Sequence, residues 1–96
     1  MVTLQILNKV LDTGDMGLIL KNALTVDYFI GYEDEFTFLT EHHAKYGKVP
    51  DKASFLDKFR EFELVEVKEP DRYLLETLYE EYLYYQSVDV VQEVAK

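Results

Sequence analysis

Apolar residues return every three or four positions along most of this chain, the spacing of helices that each bury one face. The pattern is strongest between Leu24 and Phe59. There Tyr32, Phe36, Leu39, His43 and Tyr46 fall at i, i+4, i+7, i+11 and i+14, predicting a long amphipathic helix with those five on its inner face. Gly47 stands where a helix ends in a left-handed residue, and Pro50 prevents the helix from resuming. Asp51 then fits an N-cap, because its carboxylate can accept an orphan backbone N–H. Ala53, Phe55, Leu56 and Phe59 supply the apolar face of a second, shorter helix.

Upstream, Leu4, Leu7 and Leu11, flanked by Ile6 and Val10, predict a first helix with a broad buried face. Thr13-Gly14-Asp15 is turn chemistry, and Asp15 can cap a short helix that buries Met16, Ile19, Leu20 and Ala23. Gly17 costs that helix up to about 1 kcal/mol relative to alanine, so it should be short. Thr25 begins a further turn that leads to Phe29 and closes at Gly31. Downstream, Phe62, Leu64, Val65 and Val67 read as a loop whose apolar members plug the bundle, since a lone strand has no partner. Pro70 and Asp71 open the last helix.

In that last helix Leu75, Leu78, Tyr82 and Tyr85 form one stripe, with Leu74 beside it. Tyr84, Val88, Val91 and Ala95 form a second stripe, displaced around the helix. One neighbour cannot cover both. Either the helix kinks and changes partners, or its distal half packs on something outside the chain. The repeat is still running at Lys96, which predicts a fragment of a longer protein. The organisation expected is one all-α domain over residues 1–96, a small bundle of about five or six helices. Residues 1–70 form its globular part and 71–96 a long helix leading to an interface.

Leu24-Thr25-x-x-x-Phe29, the aromatic-rich helix, Tyr46-Gly47-Lys48-Val49-Pro50-Asp51 and Phe55-Leu56-x-x-Phe59 together resemble the N-terminal domain of DnaB-type bacterial and phage replicative DNA helicases. That family reads Leu-Ser-Pro-x-x-Phe, a helix with a central Phe, a short Gly-x-Pro-Val-Asp-like link, and a helix after the Asp. The resemblance implies that Leu24, Phe29, Phe36, Leu39, Val49, Pro50, Asp51 and Leu56 shape the bundle. It also implies that 71–96 holds the last bundle segment and the first arm of a helical hairpin. The family's longer Pro/Ser/Ala loop before that arm is lacking here, and so is the second hairpin helix. In the family this domain is a non-catalytic scaffold that self-associates in a hexameric collar and helps to dock primase or a helicase loader. ATP and Mg²⁺ are used by a following RecA-like domain, so none is expected to bind here.

Composition narrows the chemistry. Nineteen acidic residues against ten basic ones give a formal charge of −9, and the lysines are scattered, so direct DNA binding by this domain is not expected. The 96 residues suffice to bury about 65 % of the unfolded surface, and the 15 % aromatic content argues against disorder. Cysteine is absent, which removes disulfides and thiolate metal sites. No apolar run reaches the roughly 18 residues of a membrane span and no secretory leader pattern is present, so a cytoplasmic protein is expected. No G-x-x-x-x-G-K-[ST] occurs, and no nucleophile–base constellation is readable, so no enzymatic activity is expected of this domain. His42 and His43 are adjacent, about 100° apart on a helix, where one metal would need i, i+3 or i+4 spacing. His43 is expected at the core edge.

The candidate site is therefore a protein interface made by Tyr84, Val88, Val91 and Ala95, with Tyr82 and Tyr85 committed to the core. The competing reading is an acidic helical adaptor or inhibitor that acts by protein–protein binding.

Overall fold

A computed structural model describes the backbone of residues 2–95 and the side chains of residues 2–86. Five α-helices and one 3-10 turn carry the fold, with no strand among the described residues: α1 (Val2–Thr13), α2 (Gly17–Leu20), the 3-10 turn (Val26–Tyr28), α3 (Glu33–Tyr46), α4 (Lys52–Lys58) and α5 (Asp71–Ala95). The protein is an all-α bundle.

α1 supplies one wall of the core with Val2, Ile6, Leu7, Val10 and Leu11. It packs along the first part of α5, whose Leu74 and Leu78 are 0 % and 1 % exposed. Phe29, Phe36, Leu39 and Phe55 belong to the same buried cluster. Phe29 stacks on Phe36 with ring centroids 4.5 Å apart, and Phe55 meets Phe62 edge-on at 4.8 Å. Each such side chain, once removed from water, contributes about 1.5–3 kcal/mol.

The turn between α3 and α4 follows from backbone chemistry. Gly47 closes α3 at φ +74°, and its N–H donates to the His43 carbonyl at 2.8 Å. Pro50 is fully buried, and Asp51 accepts the Ser54 N–H at 2.7 Å as the cap of α4. That hydrogen bond holds the Asp51 carboxyl below its ordinary value. Three acids in the first turn of α3 and His43 and Lys45 in its last turn complement the helix dipole.

Residues 62–68 run from the end of α4 towards α5 with neither turn nor bend and without forming a ladder. Phe62 is buried and Val67 packs on the core, so the segment does plug the bundle. It is held by Asn8, a buried amide on the inner side of α1. Asn8 Nδ2 donates to the Glu63 carbonyl at 3.0 Å and to the Leu4 carbonyl at 2.9 Å, while Asn8 Oδ1 accepts the Val65 N–H at 2.9 Å. The carboxamide thus stands in for one peptide unit of a neighbouring strand. Every polar atom it has buried is used.

Some apolar positions lie elsewhere than their spacing predicts. Leu20 is 59 % exposed and Leu18 is buried in its place, because α2 is only four residues long and the chain leaves it at Ala23 with φ +51°. Ala23 and Ala53 are exposed. Tyr46 is 61 % exposed: the inner face of α3 is used up at Phe36 and Leu39, and its last turn runs past the core. His43 is half-buried. Phe38, outside the predicted stripe, packs on Phe59 at 5.7 Å and Phe55 at 6.1 Å.

Candidate interaction surface

The same spacing that buries Leu74 and Leu78 carries α5 beyond its neighbours. Tyr28, on the 3-10 turn, covers the next part of the helix: its ring lies 5.8 Å from Tyr79 and 4.6 Å from Tyr82. Tyr82 is half-buried there, and Gln86 Nε2 donates to its hydroxyl at 2.8 Å. Past Tyr82 the described aromatic partners end. Leu83 and Tyr84 are 62 % and 66 % exposed, and among the described rings Tyr84 meets only Tyr85, edge-on at 5.9 Å. Tyr85 is exposed too, which corrects its assignment to the core: it lies two turns beyond Leu78, where the described bundle offers it no aromatic ring but its neighbour's.

Of the four predicted interface residues, Tyr84 is therefore on the surface. Val88, Val91 and Ala95 lie outside the residues whose side chains are described. Sequence spacing did not single out Leu83, although it adjoins Tyr84 and is nearly as exposed. A leucine off both stripes of a half-solvated helix was the available signal.

The helix is acidic along this stretch. Between Tyr73 and Gln86 it carries Glu76, Glu80 and Glu81 and no basic residue. Arg72 precedes them and is tied to Glu76 at 2.8 Å. The surface is therefore an aromatic and aliphatic patch flanked by carboxylates, suited to a partner that offers apolar area and positive charge.

Two open grooves beside α3 and α4 carry no comparable chemistry. An open groove of about 740 Å³ runs past Ile30, Tyr32, Asp34, Phe59 and Glu63, and a neighbouring one of about 500 Å³ shares Asp34, Lys58 and Phe59 with it. Their linings mix carboxylates, Lys58 and aromatic edges. Neither groove contains a Ser, Cys or His, and the one hydroxyl in the linings besides Tyr32 belongs to Thr37. His42 points its Nδ1 at the Lys48 carbonyl, 2.8 Å away, and its ring lies 4.7 Å from that of Tyr46. Among the described residues no three His, Asp or Glu side chains gather as a metal site requires. No described helix is long and apolar enough to cross a membrane.

No family model, curated protein or solved structure matches the chain.

Proposed function

We propose that this chain is an N-terminal scaffold domain of a DnaB-type replicative helicase, which joins subunits into a ring and docks primase or a helicase loader. The observation that carries the reading is the exposed Leu83–Tyr84–Tyr85 patch on α5, immediately beyond a segment of the same helix that is locked into the core. A helix built this way suits the first arm of an association hairpin: one end is anchored, and the other presents apolar surface to a second helix. The positions that carry the resemblance are compatible with it. Leu24, Phe29, Phe36, Leu39 and Pro50 are buried, Val49 and Leu56 pack against the core, and Asp51 caps α4. In this reading the domain performs no chemistry itself. ATP hydrolysis and DNA translocation belong to a following RecA-like domain.

Light scattering coupled to size exclusion tests it, on residues 1–96 and on the same reading frame extended by roughly two more helices, about 40 residues. Dimers or hexamers of the longer chain, lost on Tyr84→Asp together with Val88→Asp, are the expected result. A reading frame that does not continue into a Walker A motif overturns the helicase assignment. In that case the acidic character of α5 favours the adaptor or inhibitor reading, in which the same patch binds a basic partner protein.

A further inference from the structure

We infer that the extended segment at 63–68 is an open template edge, which takes up a basic, extended segment of a partner protein as an added strand. The argument does not depend on the helicase reading and starts from the Asn8 clasp. Asn8 holds the Glu63 carbonyl and the Val65 N–H, two groups that lie on one side of an extended chain. Successive residues of such a chain turn their N–H and C=O groups to alternate sides. The peptide groups of Leu64, Glu66 and Lys68 therefore face away from Asn8. Among the described residues no backbone or side-chain partner meets the N–H or C=O of any of the three. Val65 and Val67 are half-buried, and Val67 packs on the core, so the segment is anchored from beneath.

A row of unpaired peptide groups on an anchored, extended chain is what an incoming strand pairs with. Clasped on one side by a side chain and open on the other, this segment is half of a ladder.

Charge selects the occupant. Glu63, Glu66 and Glu69 are exposed along the segment, and Lys68, the one base among them, leans towards Glu66 at 3.8 Å. Leu64 is exposed as well and offers an apolar contact on the outward face. A strand alternating basic with apolar or β-branched residues complements this pattern. A second copy of the segment does not. Antiparallel self-pairing through the outward residues sets Glu66 against Glu66 and Leu64 against Lys68, within a chain of charge −9.

Hydrogen exchange read by NMR tests this, with an N-acetylated octapeptide alternating lysine with valine or threonine as the probe. The expected result is periodic: the amides of Leu64, Glu66 and Lys68 slow tenfold or more on binding. The Val65 amide, already bonded to Asn8, keeps its rate. Glu66→Pro removes one outward donor and weakens binding at least tenfold. Glu66→Gln, which keeps the donor and loses only the charge, weakens it roughly two- to fivefold. The Val65 amide reports whether the clasp survives in the proline variant, and Lys68→Pro provides the same test if it does not. Slowing at Val65 instead of its neighbours, or unchanged binding by both proline variants, overturns the inference. So does equal weakening by Glu76→Gln with Glu80→Gln on α5, which would mean unspecific attraction. The same amide pattern without peptide, accompanied by dimerisation, assigns the edge to self-pairing and overturns it too.

Discussion

Leu78 and Leu83 are the same residue on the same helix, five positions apart, and they live in different surroundings. Leu78 is 1 % exposed, within the core cluster that also holds the apolar residues of α1, whereas Leu83 is 62 % exposed. Local sequence does not separate them, since both sit among tyrosines and glutamates. The separation comes from length: a 25-residue helix spans about 37 Å, and among the described residues the rest of the bundle covers it only as far as Tyr82. Tyr28 marks the border, with its ring against Tyr79 and Tyr82. Buried apolar side chains lie on one side of that border, and the exposed Leu83, Tyr84 and Tyr85 lie on the other.

The contrast can be measured. Leu78→Ala should have the largest effect, a loss of about 3 kcal/mol in urea denaturation, because the cavity opens inside a packed core. Tyr28→Ala should cost about 1–3 kcal/mol, two aromatic pairs being lost at the border. In the same variant, exchange of the amides at 79–82 should accelerate more than that of Leu74. Leu83→Ala should stay within about 0.5 kcal/mol of the parent in the same denaturation; a loss as large as that of Leu78→Ala would place Leu83 in a core and erase the border. Acid should act at the cap of α4. The Asp51 carboxyl titrates below its ordinary value of 3.8 in the folded chain, so the stability from its cap is complete above that value. It is lost as the pH falls through the lowered one. The result is a small destabilisation centred on α4, readable as earlier exchange of the Ser54 amide and absent in Asp51→Asn.

Much of this architecture is legible in the residues because backbone chemistry forces the choice. Gly47 at φ +74° and Asp51 on the Ser54 N–H do what their identities predict. The inner faces of α1 and of the early part of α5 follow from periodicity, since both helices have a neighbour along the predicted stripe. Periodicity misleads where a helix outruns its neighbour. Tyr46 and Tyr85 keep perfect helical spacing and are exposed, because spacing describes a face and says nothing of what lies opposite. Leu20 fails for another reason: in a four-residue helix the turns at either end, not the repeat, decide what points inward. Asn8 escapes the pattern altogether. A polar residue within the apolar face of α1 looks like a defect, and its partners lie 55 and 57 positions away. As for the candidate surface, Tyr84 is legible as a residue without a place in the core, while Leu83 beside it falls on neither stripe and is not marked by the spacing.

The pairing of the first helix with the last also sets a schedule during synthesis. Val2, Ile6, Leu7, Val10 and Leu11 are made early, yet Leu74 and Leu78, which they pack against, come some seventy residues later. At roughly 5–20 residues per second, the ribosome takes about 4–14 s to cover that distance. Throughout that interval the apolar side of α1 lacks the α5 part of its packing, which is open to whatever binds nascent chains. Holding it in solution then falls to local neighbours and to chaperones, and the native core closes only when the start of α5 has been delivered.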